Sequence, residues 1–301
     1  MNSDPRRIRA IFAAGLATLS FAASAALAEE GASISPAQLV RETVQNEIKT
    51  SDDHAKFMFC ERRATPKGSQ TKLVVETRDA TAGVLVAIND HPLTPQQRQA
   101  ENARLERFVN DPAELRKKAK QEKEDADRVL KIMKALPEAF LYEPDGTEPG
   151  REGVGKPGDE LVRLRFRPNP RYNPPSRVEQ VLTAMQGILL IDEQQKRIAK
   201  IDGTLTRDVG FGWGILGHLD RGGHFLVEQA DVGGGHWELS RMDLSITGRA
   251  LFFKSLSFKS SETYSDFRPA PPNLTFAQGV ELLKKHEAEL IAEQNGGSGA
   301  R

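Results

Sequence analysis

Cysteine is almost absent from this 301-residue chain: Cys60 is the only one, so no intramolecular disulfide can form. Two tryptophans, three tyrosines and a formal charge of zero complete the list of scarcities. A balanced charge gives no electrostatic reason to expect nucleic acid, which needs a clustered basic surface. Long apolar runs are missing everywhere but the first 28 residues. There Arg6, Arg7 and Arg9 precede an apolar stretch from Ile11 to Leu27, closed by Ala26-Leu27-Ala28. A positive start, an apolar middle and a small-x-small end define a secretory signal with cleavage before Glu29. The stretch is short for a membrane span and has no stop-transfer pattern after it. The expectation is a cleaved signal peptide over 1–28 and an exported chain that spans no membrane, working in the periplasm or secreted. Residues 1–28 hold three Arg and one Asp, so the remainder carries about −2. Cys60 lies far from the cleavage site and reads as a small strand residue.

What is present is first helical. Ser35-Pro36-Ala37-Gln38 is a helix start, and Val40, Val44 and Ile48 share one face of a helix ending near Thr50. Strand-like runs follow at about 56–63, 71–77 and 84–89. Thr94-Pro95-Gln96-Gln97 and Asp111-Pro112-Ala113-Glu114 then open two helices, at about 95–109 and 112–136. From Arg116 to Arg128 nearly every residue is charged, with opposite signs four apart, as in Lys118 with Glu122 and Lys120 with Glu124. That spacing describes a solvated helix; the alternative is a partner-binding arm. Val129, Ile132, Met133 and Leu136 give the helix a docking end, with Pro137 as its expected stop.

Beyond Phe140 the pattern turns to strands, at about 138–143 and 159–166 around a loop containing Asp145-Gly146. A short helix opens at Ser176, and strands follow at about 186–192, 196–207, 210–219, 223–232, 236–247 and 250–262. Strands in such close succession pair antiparallel, because parallel neighbours need a long crossover. A last helix runs from Phe276 to about Glu293, and residues 295–301 read as a disordered tail.

Three groups of residues are candidates for function. Gly212-Trp213-Gly214-Ile215-Leu216-Gly217 matches a dinucleotide fingerprint by letter, but a hairpin follows where the fingerprint needs a helix. His218, His224 and His236 are the weak metal candidates, with Asp220 or Glu228 as a further ligand, although their spacing fits no zinc motif. The apolar residues of the strands are more telling. Phe211, Trp213 and Ile215 project to one side of one strand, Phe225 and Val227 to one side of the next, and Trp237 and Leu239 can continue the row. Met242, Leu244 and Ile246 fall on the opposite parity, which predicts a bulge or a corner. Such a sheet either wraps its own helices or encloses a cavity for an apolar ligand. No catalytic signature is present, and no cofactor is expected.

The paired runs Gly187-Ile188-Leu189-Leu190-Ile191-Asp192 and Arg197-Ile198-Ala199-Lys200-Ile201-Asp202-Gly203 give the chain a likeness. Together with the signal peptide, the first helix and the long meander, they make the chain resemble the periplasmic lipoprotein-carrier (LolA/LolB-like) superfamily over roughly 140–285. Asp208 to Trp213 and Ser265 to Arg268 are similar to uncharacterised exported proteins of that kind. The resemblance implies an α+β fold of mainly antiparallel β structure over 29–294, a curved sheet or unclosed β-barrel with helices on its concave face. The resemblance further implies binding of a lipid or acylated protein, without catalysis. It does not supply the charged helical hairpin arm at about 95–136, which is longer than the lid helices of that superfamily, and it transfers no individual site residue. The strand alternation itself makes Phe211, Trp213, Ile215, Phe225, Val227, Trp237 and Leu239 the candidates to line such a site. Two readings stand beside this: an envelope protein-protein interaction module with a packed core, and a metal-dependent hydrolase using the histidines.

Overall fold

The computed structural model describes residues 34–50, 56–211, 217–250 and 254–297. Its centre is one antiparallel sheet of thirteen strands. In chain order these are β1 (Phe57–Thr65), β2 (Gly68–Val75), β3 (Ala82–Ile88), β4 (His91–Pro92), β5 (Phe140–Pro149), β6 (Glu160–Pro168), β7 (Met185–Asp192), β8 (Arg197–Leu205), β9 (Val209–Phe211), β10 (Gly217–Leu219), β11 (His224–Asp231), β12 (Trp237–Ala250) and β13 (Lys254–Pro269). The sheet order is β4-β3-β2-β1-β13-β12-β11-β8-β7-β6-β5, with β10 attached to β12 and β9 to β10. The two ends of this order do not meet, so the sheet is unclosed, and the α+β class is as the strand spacing implies. Among the described residues five α-helices accompany it: α1 (Pro36–Thr50), α2 (Pro95–Asn110), α3 (Pro112–Ala139), the short α4 (Arg177–Gln180) and α5 (Phe276–Gly297).

The helices form where local chemistry starts them. Thr94 and Gln97 make a reciprocal capping box at α2, and the Asp111 carboxylate accepts from the N–H groups of Ala113 and Glu114 to open α3. Thr275 and Gln278 repeat the box at α5. Pro137 does not stop α3, which runs two residues further to Ala139. Leu136 and Ala139 are sealed in the core there, and that burial outweighs the lost backbone hydrogen bond of a proline so near the end.

Two main cores result. In one, α1 and the end of α3 cover β5 to β8: Leu39, Val40, Val44, Leu136 and Ala139 pack on Phe140, Leu164, Phe166, Leu189 and Ile191. In the other, α5 and α2 cover β1 to β3, with Phe276, Val280, Leu283 and Leu105 on Met58, Leu73, Val75 and Val84. Cys60 packs at the edge of this second core, where burial raises its thiol pKa and keeps it protonated. The strand register shows that these cores lie on opposite faces of the ladder. Leu164, Leu189, Ile201, Val227, Met242, Glu262 and Arg63 are successive cross-strand partners and share one face. Arg63 is partnered by Gln70, so Leu73 and Val75 point to the other face.

α3 joins the cores. Leu115 and Ala119 near its start pack on the second, Ile132 to Ala139 on the first, and residues 123–129 between are exposed all round. Ion pairs three or four residues apart, such as Lys123 with Asp127 at 3.3 Å, belong to this solvent-crossing stretch.

Two details differ from the strand pattern. The expected single strand at 210–219 is, in its described part, two short strands, β9 and β10, which pair antiparallel with each other. Asp145-Gly146 is not a hairpin turn: it is a bulge in β5, where register slips between Pro144 and Thr147, and residues 150–159 make the reversal.

Candidate functional site

The face shared by Ile201 and Val227 continues beyond the covered core. Gly203 brings it there: a Cβ at this position would stand 2.9 Å from Met185, so only glycine lets the β7 side chain fold over β8. Across β11, β12 and β13 the same face carries Phe225 opposite Leu244, Val227 opposite Met242, and Ile246 opposite Phe258. The closely packed helix–strand contacts fall on β2, β3, β5 and β8, not on these three strands. Phe225, Val227, Met242, Leu244 and Ile246 are consequently half-buried, and Leu256 and Phe258 remain 41% and 46% exposed. The opposite faces of the same strands differ: Glu228 is buried, and Lys200, Asp202, Arg241 and Asp243 form ion pairs.

One end of the apolar face has a polar border. Arg63 is 3.1 Å from Glu262 and lies over the Phe258 ring at 5.9 Å. Tyr264 donates to Glu262 at 2.8 Å, and burial together with that carboxylate raises the phenol pKa. The phenol therefore stays protonated at neutral pH.

Of the residues singled out in the sequence, Phe225 and Val227 lie on this face. Leu239 pairs with Gln229 further along and is half-buried. The parity change before Met242 is a bulge: Glu228 pairs with Arg241 and Gln229 with Leu239, leaving Ser240 unmatched. Trp237 sits apart, packed on Val154, Leu161, Leu190 and Ala199 in a small core of its own. Trp213 and Ile215 lie outside the described residues, as does the side chain of Phe211. Leu244, Leu256 and Phe258 complete the face; their alternation shows in the sequence, but their joining Phe225 and Val227 on one face depends on which strands are neighbours.

The histidines are not gathered. His218 faces Asp220 at 3.1 Å, His224 faces Asp202 at 2.9 Å, and His236 meets the Phe57 ring edge-on at 5.5 Å. Among the described residues no group of three or more His, Cys, Asp or Glu side chains is placed to hold a metal ion. No described helix is long and apolar enough to cross a membrane.

Fold and face define an α+β protein built on one unclosed antiparallel sheet, with half-buried apolar side chains across its middle strands. No protein-family model matches the sequence, and no curated protein matches it. Among solved structures, a DUF1329 family protein from Desulfovibrio piger is similar over 79% of this chain and 94% of its own. Its identity is 9% and the TM-score 0.26, a likeness too remote to carry any argument about this chain.

Proposed function

We propose that this chain is an exported binding protein for a lipid or lipidated polypeptide, with its place in the periplasm or outside the cell. The observation that carries the reading is the half-buried apolar face of β11 to β13, on which Leu256 and Phe258 stay exposed, continuous with the core under α1. An acyl chain laid along Phe225, Leu244, Ile246 and Phe258 would exchange water for apolar contact at about 0.8 kcal/mol per buried CH2, before the costs of association. The resemblance of the hairpin at 187–203 to lipoprotein carriers supports the same reading, as does the signal-like first segment.

Native mass spectrometry of the chain purified without detergent tests it. The expected spectrum shows extra mass that dissociates as phospholipid or fatty acid, and Phe258→Asp loses that mass while its circular dichroism stays unchanged. A bare polypeptide mass that persists after incubation with lipid vesicles sinks the proposal.

A further inference from the structure

The two ends of the sheet are poor places for another strand to join. β5, the strand at one end, contains Pro144 and Pro149 and the bulge between Pro144 and Thr147. β4, at the other end, is only His91 and Pro92. Prolines, bulges and short length keep an outer strand from pairing with a further chain.

β13 carries a third edge, within the sheet order, that lacks these features. β12 pairs with β13 from Lys254 to Thr263, but β1 joins its other side only from Ser261 to Pro269. Residues 254–260 therefore have β12 on one side and, among the described residues, no strand on the other. Ser255 to Lys259 are all exposed, and Lys254 to Ser260 includes no proline or glycine. Seven residues of strand, about 23 Å, thus leave their outward backbone groups free to pair.

The two sides of this edge differ in chemistry. Leu256 and Phe258, 41% and 46% exposed, stand on the apolar face, opposite Gly248 and Ile246. Ser255, Ser257 and Lys259 stand on the other side, opposite Arg249, Thr247 and Ser245. Arg249 and Lys259 are exposed, and among the described residues neither is in an ion pair. Asp243, further along β12 on that side, is taken: Arg241 lies 2.6 Å from it, and Ser261 donates to it at 2.6 Å. On the apolar side Arg63 is held by Glu262. Among the described side chains the unmatched charge at this edge is thus positive and lies on one side.

We propose that residues 254–260 of β13 form a docking edge for an extended polypeptide segment in which apolar and acidic residues alternate. The segment adds a strand, its backbone exchanging hydrogen bonds with β13. Period two decides the rest: its apolar side chains fall beside Leu256 and Phe258, and its carboxylates fall on the side of Ser257, Lys259 and Arg249. A slip of one residue would set carboxylates against Leu256 and Phe258, so the alternation fixes the register. This edge goes beyond the lipid-binding reading, and the two meet at Phe258, which belongs to both. A polypeptide whose acyl group lies on the apolar face has its chain held alongside.

Fluorescence anisotropy with a labelled seven-residue peptide of alternating valine and glutamate is the test, against the same peptide with lysine in place of glutamate. The wild-type chain binds the glutamate peptide about tenfold more tightly than the lysine peptide at low salt. The double variant Arg249→Glu, Lys259→Glu reverses that preference, and its circular dichroism is unchanged because both side chains are exposed. Should that variant lose its fold, Lys259→Gln decides, by narrowing the preference. Bound glutamate peptide slows hydrogen exchange over residues 254–260 and not in β5. A wild-type chain that binds neither peptide, a preference unmoved by the substitutions, or protection that falls elsewhere overturns the assignment. Native mass spectrometry keeps the two readings apart. Lipid retained by a chain that binds neither peptide overturns the edge alone; a lipid-free chain that binds the glutamate peptide at 254–260 overturns the lipid reading alone.

Discussion

Glu122, in the most charged part of α3, accepts a hydrogen bond at 3.0 Å from the backbone N–H of Thr81 at the start of β3. A residue that reads in sequence as one more surface charge is thus a latch between helix and sheet. Its other partner, Lys118 four residues earlier, holds the carboxylate in place.

Removing that latch has a measurable cost. Glu122→Ala leaves a partly buried N–H without its acceptor, and stability is expected to fall by about 1–2 kcal/mol. Lys120→Ala, whose partner Glu124 is 3.9 Å away on an exposed surface, is expected to change stability by less than about 0.5 kcal/mol. Urea unfolding of both variants checks the contrast; equal midpoints would show that the latch does nothing.

The buried pair Arg197 with Glu47 sets a larger scale. Glu47→Ala strands a buried guanidinium and also deprives the Ile198 N–H of its acceptor. Breaking one side of such a pair costs about 3–5 kcal/mol, and denaturant unfolding should show a loss of that order.

Glu238 makes stability depend on pH. Its folded pKa of about 7, raised first by burial and then by Glu76, lies above the ordinary 4.5, so between those values the folded chain holds a proton that the unfolded chain has released. Stability therefore declines as pH rises from about 4.5 to 7, and this contribution is fully lost above. Glu238→Gln should flatten that part of the profile and stand above wild type at pH 8. Melting temperatures at pH 5 and pH 8 provide the comparison, and parallel profiles would contradict it.

Gly187 predicts a failure of packing. A Cβ added there would lie 1.8 Å from the carbonyl oxygen of Asp202 on the neighbouring strand. Gly187→Ala has to push β7 and β8 apart, at a cost of at least about 3 kcal/mol and with loss of soluble yield. Gly146→Ala, in the β5 bulge, meets no neighbouring atom within 4 Å and pays only backbone strain of about 1–2 kcal/mol at its φ of +87°. Thermal denaturation should rank the two in that order.

Much of this architecture is written locally. The capping boxes at Thr94 and Thr275 need only four residues to be recognised, and the alternation of Phe225 and Val227 needs one strand. Even the unmatched Ser240 leaves a trace, because Met242 falls out of step with Trp237 and Leu239. The pairing of β9 with β10 leaves no comparable trace, since a glycine-rich apolar run reads equally well as one curved strand. The cavity of about 280 Å³ lined by Glu47, Lys56, Arg197, Trp237 and Glu238 was not legible at all. Glu47 and Lys56 are near in sequence, but Arg197 and Glu238 come from two distant segments, and only the parting of β8 from β11 brings them together. The signal that existed was indirect: Arg197 and Asp192 are charged residues at the ends of otherwise apolar strands, and both are buried.

α3 has a consequence for how force and length are shared in this protein. Twenty-eight residues at 1.5 Å each make a rod of about 42 Å, rooted in one core by Leu115 and Ala119 and in the other by Leu136 and Ala139. Because the rod is bare between its roots, it adds no packing there and acts only as a spacer of fixed reach. Neither core can shift along the helix axis without straining the other, so two hydrophobic bodies on opposite faces of one sheet behave as coupled ends of a single beam.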